Sequence, residues 1–376
     1  MLPRLRLIAA LLTVTLSALA GCSTPLRGVR MPEGFRIERI AGSDAGTPFD
    51  VSRGGAFASV SDGSIVITDR RGDSFGIDRS PATALCFSPA GERLAAALPS
   101  GNATALRLFD AKGKVLGETK IPGRVTSLAW RSGEELLAGA VSIRKFTFGS
   151  ELKSRLYQWN GADAPVATTL TDVTLRPQVA KMPEETLYNQ LIIAVSPYGD
   201  EIAYSSLKDP PLFVPYLKVS VRHLETGAEI EVAKTSLGAG KVLYTPDGES
   251  LVVGDLNGAR RVSIPDGKEI ETWHFPGRSP AISPSGEYLF LDGRLYRDGK
   301  AVADFPAGER GIFLQDGSGL ALSHQGKLYL VSGMKEGPAP VPPSDPDRLL
   351  KLRRLRSQGL ITESEYRREK DKGLIP

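Results

Sequence analysis

Few residues in this chain are of the types that do chemistry. Among 376 residues there are 3 His and 2 Cys, which argues against both a disulfide framework and a multi-Cys or multi-His zinc site. His223, His274 and His324 lie far apart, and no paired acidic and histidine signature recurs beside them. Gly72-Asp73-Ser74-Phe75-Gly76 matches the G-x-S-x-G expression for a nucleophile elbow, which needs a strand before the serine and a helix after it. Residues 64–68 read as a strand, but Ile77-Asp78-Arg79-Ser80-Pro81 does not read as a helix, so the segment is expected to be a hairpin. Gly238-Ala239-Gly240-Lys241 is not a phosphate loop, because Thr235 and Val242 stand where Gly and Ser or Thr are required. No catalytic residue, no metal-ligand set and no cofactor is expected.

The first cysteine carries a different chemistry. Arg4 and Arg6 precede an uncharged stretch over residues 7–19, shorter than the roughly 20 residues a membrane-spanning helix needs. It reads as a secretory signal. Its end, Leu19-Ala20-Gly21-Cys22, resembles the bacterial lipobox. By that resemblance residues 1–21 are removed and Cys22 becomes the acylated mature N-terminus, its thiol carrying a thioether-linked diacylglycerol. Several acyl chains anchor stably where one binds marginally. Ser23 follows, and in lipoproteins of this type a residue other than Asp there goes with the outer membrane. The resemblance therefore implies a lipid anchor in the bacterial envelope, facing the periplasm. Cys86, in Leu85-Cys86-Phe87-Ser88, then has no intramolecular partner and is expected to pack in a strand as a small hydrophobe.

The elements that would position any site come from internal repeats. Phe87-Ser-Pro-Ala-Gly91, Val195-Ser-Pro-Tyr-Gly199, Tyr244-Thr-Pro-Asp-Gly248 and Ile282-Ser-Pro-Ser-Gly286 share a turn in which Pro fixes one φ and Gly takes the positive φ. Weaker copies end at Gly63, Gly133 and Gly317. Alternating apolar residues follow each turn, as in Leu251 and Val253 or Leu320 and Leu322, the pattern of a strand. From Gly63 to Gly317 the mean interval is roughly 42 residues, which matches a four-stranded propeller blade. A second turn falls later in several units, at Gly113, Gly227, Gly267 and Gly299, as a four-strand meander requires.

These units resemble blades of the WD-repeat-like and TolB-like β-propellers, in which such turns recur. The resemblance covers residues 35–333 and implies an all-β ring of about seven four-stranded blades, with residues 35–40 pairing into the last blade to close it. It implies no function, since the motifs are structural. The interval from Gly133 to Gly199 is too long for one blade, placing an insertion at about residues 144–190, with a short helix starting after Pro183. Another aromatic, proline-rich connection holds Phe213 and Tyr216. Long loops on a rigid scaffold are frequent binding surfaces, so these loops either meet a partner or cover a flank of the ring.

Residues 22–34 read as an N-terminal tether and residues 334–346 as a Pro/Gly-rich linker. Beyond the linker, Leu349, Leu352 and Leu355 mark one helix face, Gly359 ends it, and Thr362-Glu-Ser-Glu365 is a capping box for a second helix. The run Leu349-x-x-Leu352-x-x-Leu355-x-x-x-Gly359-Leu-Ile361-Thr-x-x-Glu365-Tyr366 resembles the SHOCT (short C-terminal) domain, with Tyr366 where Phe is commoner. Such domains are thought to mediate oligomerisation or contact with other macromolecules. About 30 residues cannot bury enough surface to stand alone, so Leu349, Leu352, Leu355, Ile361 and Tyr366 are expected to meet a second copy, a partner or the propeller wall. Residues 347–376 carry nine Lys/Arg and five Asp/Glu, a net +4 equal to the formal charge of the whole chain. The basic character belongs to the hairpin and not to the ring.

Together these features suggest a lipid-anchored, non-catalytic scaffold or protein-interaction module. It would be held to the membrane by Cys22 and to a protein partner, or to itself, by the hairpin, with no nucleic acid expected. The alternative is a propeller enzyme or small-ligand binder using the central channel.

Overall fold

Seven four-stranded antiparallel sheets follow one another along the chain in a computed structural model. It describes residues 28–44, 46–147, 149–211, 214–237, 240–256, 258–264, 266–274, 279–305, 310–337, 351–352, 355–356 and 359–372. The leader, Leu19, Ala20, Gly21, Cys22, Phe213 and Leu349 lie outside the described residues. The first strand is β1 (Arg36–Gly42). Blade 1 comprises β2 (Phe49–Val51), β3 (Phe57–Ser61), β4 (Ser64–Thr68) and β5 (Ser74–Asp78). Blade 2 comprises β6 (Ala84–Phe87), β7 (Arg93–Ser100), β8 (Ala103–Asp110) and β9 (Val115–Pro122). Blade 3 comprises β10 (Arg124–Trp130), β11 (Leu136–Phe146), β12 (Gly149–Trp159) and β13 (Val166–Leu175). Blade 4 comprises β14 (Ile193–Val195), β15 (Glu201–Lys208), β16 (Tyr216–His223) and β17 (Glu229–Thr235). Blade 5 comprises β18 (Val242–Tyr244), β19 (Ser250–Asp255), β20 (Gly258–Ser263) and β21 (Glu269–Trp273). Blade 6 comprises β22 (Ala281–Ile282), β23 (Tyr288–Leu291), β24 (Arg294–Arg297) and β25 (Lys300–Asp304), and the last blade begins with β26 (Arg310–Phe313), β27 (Gly319–His324) and β28 (Lys327–Ser332).

That last sheet has the order β1-β28-β27-β26. The N-terminal strand is therefore its outermost member, with Arg36 opposite Ser332 and Ile37 opposite Val331. Closure of this kind removes the free sheet edge that an open array would leave. The first strands of the sheets touch in succession, β2 against β6, β6 against β10, β10 against β14 and β26 back against β2. They form the inner wall of a ring.

Each sheet extends outward from that wall between two neighbouring sheets, so its central strands are buried on both faces. In β7, Leu94, Ala96 and Leu98 join the layer between blades 1 and 2, whereas Ala95 and Ala97 join the layer between blades 2 and 3. In β19, Leu251 and Val253 face blade 4 and Val252 faces blade 6. The period-2 apolar pattern is thus only half of the core, and the residues between its members fill the next layer.

Three boundaries differ from the sequence reading. Residues 29–34, expected as tether, belong to the ring: Arg30 pairs with Asp304, and Val29 and Met31 pack beside Phe35 on the layer between blades 6 and 7. The linker also begins on the ring, because Met334 is buried in that same layer. The long interval is not loop alone. Strands β11 and β12 are 11 residues each, and the rest forms two short helices, α1 (Pro177–Ala180) and α2 (Glu184–Tyr188), the second starting after Pro183 as expected. Val179, Leu187 and Leu191 of this connection are buried between blades 3 and 4, so it packs as part of the wall.

Candidate functional site

The repeated turn explains one face of the ring. In each Ser/Thr-Pro-x-Gly copy the glycine N–H donates to the carbonyl of the Ser or Thr, at 2.7 Å for Gly91, 2.9 Å for Gly199 and 2.8 Å for Gly248. The hydroxyl accepts the first N–H of the next strand: Arg93 to Ser88, Glu201 to Ser196, Ser250 to Thr245 and Tyr288 to Ser283, all between 3.0 and 3.2 Å. This is why the motif carries a hydroxyl at that position: an otherwise unpaired strand-end donor is satisfied locally. Neighbouring turns then bond to one another. Arg131 Nε donates to the Gly199 carbonyl at 2.8 Å, and the Tyr198 hydroxyl donates to the Asp247 carbonyl at 2.8 Å. At Gly248, φ is 67° and an added Cβ would stand 2.6 Å from the Tyr198 ring, so both conformation and contact require glycine.

The chain leaves β28 and stays on this face. Glu336 accepts from the Ser285 N–H at 3.4 Å, and the Gly337 N–H donates to Glu287 Oε1 at 2.7 Å, both in the blade 6 turn. At the far end of the linker, Lys351 sits on the blade 4 turn. Its Nζ is 3.6 Å from Glu201 Oε2, 3.7 Å from Asp200 Oδ2 and 4.9 Å from the centroid of the Tyr198 ring. Glu201 is the first residue of β15 and is 3% exposed. Burial pushes its carboxyl above the ordinary range, and the Lys351 ammonium works against that shift.

The hairpin has a small core of its own. Leu352, Ile361 and Tyr366 are buried against one another with Leu355 partly buried beside them, and the Arg356 guanidinium lies 4.5 Å over the Tyr366 ring. The capping box forms as expected: the Thr362 N–H donates to Glu365 Oε2 at 2.7 Å and the Glu365 N–H to Thr362 Oγ1 at 3.3 Å, starting α3 (Glu363–Lys372). Among the described residues, then, the hairpin's apolar side chains pack on one another, and the contact with the ring runs through Lys351. Tyr216, expected beside Phe213 on a surface loop, opens β16 half-buried with the Lys234 ammonium 5.5 Å from its ring centroid. Sequence reasoning missed Lys351, Glu201 and Tyr198. The available signal was positional, because the strand-opening residue of this repeat is Arg, Ser or Tyr in blades 2, 5 and 6, and the carboxylate is peculiar to blade 4 among them.

A second group of charges meets in the channel. Asp50 on β2, Cys86 on β6 and Lys241 beside β18 belong to blades 1, 2 and 5, yet they act on one another electrostatically. Blades 2 and 5 are not neighbours, so that field crosses the lumen. Asp50 Oδ2 accepts the Phe87 N–H at 2.6 Å, which ties blade 1 to blade 2. Burial raises the Asp50 carboxyl to about 6, raises the Cys86 thiol well above its usual range and lowers Lys241. A thiol shifted that way is a poor nucleophile. Cys86 is partly accessible at the lumen instead of fully buried, and the Trp130 indole donates to its carbonyl at 3.1 Å. His223 lies in blade 4, His274 follows β21 and His324 ends β27. Among the described residues no three His, Cys, Asp or Glu side chains converge as a metal site would need. Ser74 of the G-x-S-x-G segment opens the edge strand β5, paired with Thr68 in a hairpin.

No family model and no curated protein sequence matches the chain. Solved structures do resemble it. A chain of a mitotic checkpoint complex superposes with TM-score 0.54 at 14% identity over 83% of this chain and 95% of that one. Hydrazine synthase of Kuenenia stuttgartiensis gives 0.52 at 13% over 82% and 97%. The Cps50 (Swd1) β-propeller domain of Myceliophteria thermophila gives 0.50 at 18% over 80% and 100%. Similarity at this level establishes architecture alone, and these proteins span a component of a complex and an enzyme. The fold is a seven-bladed β-propeller of four antiparallel strands per blade.

Proposed function

We propose that this chain is a lipid-anchored, non-catalytic interaction scaffold of the bacterial envelope, held in the outer membrane through Cys22 and facing the periplasm. The C-terminal hairpin mediates oligomerisation or partner binding on the turn face of the ring. The observation that supports this most is the ion pair between Lys351 and the buried Glu201. It gives the hairpin a docking point on blade 4 that serves equally within one chain or between two copies. Linking that contact to a second one on the propeller raises avidity through effective concentration. Propellers offer large rigid surfaces for such contacts, and the mitotic checkpoint complex among the structural neighbours is consistent with this use.

The test compares the full chain with a deletion of residues 345–376 in native membranes. The deletion is expected to lower the oligomeric mass or to lose a co-purifying protein while the propeller stays folded, and Leu352→Glu is expected to act like it. An unchanged mass together with unchanged co-purification would overturn the reading. Cys22→Ser is expected to abolish palmitate labelling and release the protein from the membrane fraction; a labelled, membrane-bound variant would refute the anchor.

A further inference from the structure

The interblade layers of the ring are unequal. Among the described residues, the layer between blades 5 and 6 holds Val252, Ala259, Leu289 and Leu291 as its buried side chains. The layers between blades 1 and 2, 2 and 3, and 3 and 4 each hold 12 or 13. Blade 6 is built from strands of two, four, four and five residues, so it has little surface to offer blade 5. Where that layer thins, a cleft of about 520 Å³ opens between the two blades, within the roughly 300–1,000 Å³ of ordinary ligand pockets.

The lining has a definite chemistry. Val252, Ile282 and Leu289 supply apolar surface, and Trp273 and Tyr296 stand partly exposed against the same layer. Four carboxylates line the cleft, Asp247, Glu271, Glu287 and Asp298, against the single basic residue Arg261. Two of them are paired, Asp247 with Arg261 at 3.7 Å and Glu287 with Arg297 at 2.7 Å. Neither Glu271 nor Asp298 forms an ion pair within 4 Å among the described residues, although Arg297, paired with Glu287, also acts on Asp298 through space. The Trp273 indole N–H is shielded and finds no acceptor among the described residues.

An apolar floor, aromatic walls and surplus negative charge suit a side chain with a long aliphatic stem and a cationic end. The stem buries on the floor, the cation lies against the aromatic faces, and the carboxylates accept its hydrogen bonds. A bare metal cation would leave the apolar surface unused, and an acidic segment would be repelled. We infer that the cleft between blades 5 and 6 is the docking site for a basic peptide segment of a partner protein, a Lys or Arg entering beside Trp273 and Tyr296 with its cation at Glu271 and Asp298. This rests on the scaffold reading and specifies the partner's chemistry. The cleft also adjoins the docked hairpin, because Asp247 on its rim accepts the hydroxyl of Tyr198, the ring that Lys351 covers.

The test titrates the full chain, purified in non-ionic detergent, with fluorescein-labelled tetralysine and tetraarginine, read by anisotropy, with tetraglutamine as the neutral control. Saturable binding of the basic peptides is expected, weakened at least tenfold by Glu271→Gln with Asp298→Asn, and also by Trp273→Leu. Asn tolerates the positive φ of 49° at position 298, so the double variant keeps the turn. Asp163→Asn, on an exposed turn of blade 3, is the control for bulk charge and is expected to bind like the wild type. The inference fails if the wild type shows no saturable binding or if the cleft variants bind as tightly as it does. It also fails if spermidine displaces the peptide at equal concentration, which would assign the cleft to small polyamines. Co-purification separates the two readings. A partner kept by the cleft variant but lost on deleting residues 345–376 removes this inference and leaves the scaffold reading standing; a partner lost by neither removes both.

Discussion

The ammonium of Lys351 stands 3.6 Å from the carboxylate of Glu201, joining the C-terminal hairpin to the first residue of a propeller strand 150 positions earlier in the chain. Glu201 is almost fully buried, and a buried carboxylate without a partner is costly. The pair therefore matters to both sides. It fixes the hairpin on blade 4, and it neutralises a charge that the blade itself does not.

Removing one partner tests this directly. Lys351→Met is expected to destabilise the protein by about 1–3 kcal/mol at neutral pH, because it strands the Glu201 carboxylate. Glu201→Gln in the same background is expected to restore most of the loss, as a double-mutant cycle in urea would show. The pH dependence has a definite sign. Burial already raises the Glu201 carboxyl, so the folded chain holds a proton that the unfolded chain releases, and stability falls as pH rises through that interval. Without Lys351 the carboxyl rises further and the fall steepens. Single and double variants of equal stability would show that the pair is not coupled.

The channel carboxylate gives a second pH prediction. The Asp50 carboxyl is raised from 3.8 to about 6 by burial, so between those values the folded state binds the extra proton and stability declines as pH rises. Asp50→Asn keeps an acceptor for the Phe87 N–H and carries no charge. The variant is expected to show a flatter stability profile from pH 4 to 6 and to gain about 1–2 kcal/mol at pH 7, less than the shift alone would return, because neutralising Asp50 leaves the Lys241 ammonium without its counter-charge. Denaturation midpoints at pH 4.5 and 7 decide it; a wild-type slope in the variant would mean that another group titrates.

Gly248→Ala is expected to cost about 1–3 kcal/mol, since the residue must hold a positive φ while its new Cβ meets the Tyr198 ring. Displacing Tyr198 also disturbs the platform under Lys351, so hydrogen exchange over residues 359–372 should accelerate. Gly133→Ala is the control. That glycine has no neighbour within 4 Å and no positive φ, and its replacement should leave both stability and exchange unchanged.

Ring closure depends on β1. Deleting residues 28–42 uncovers the β28 edge and strips Val29, Met31, Phe35 and Ile37 from the layer between blades 6 and 7. The truncated chain is expected to melt at lower temperature and to self-associate through the free edge, visible as light scattering during a thermal scan. A monomeric product with an unchanged midpoint would contradict the closure.

The turns, the period of about seven blades and the capping box were legible in sequence, because each is set by interactions within a few residues, while the exact number of blades came from the structure. Ser196 reaches only to Glu201, and Thr362 only to Glu365. Closure by residues 35–40 could be read because propellers of this kind commonly pair their N-terminal strand into the last blade. Local signals misled where packing sets the boundary: residues 29–34 look like tether by composition, yet Val29 and Met31 pack on the ring. Which distant residues meet was decided by tertiary structure alone. Nothing near Lys351 marks Glu201 as its partner, and nothing near Asp50 marks Lys241 across the lumen. Likewise, no window of sequence shows that the short strands of blade 6 leave a cleft against blade 5. Local turn chemistry builds each blade, whereas the angle and spacing between blades depend on how every interblade layer fills. Those distances settle which charges stand close enough to act on one another.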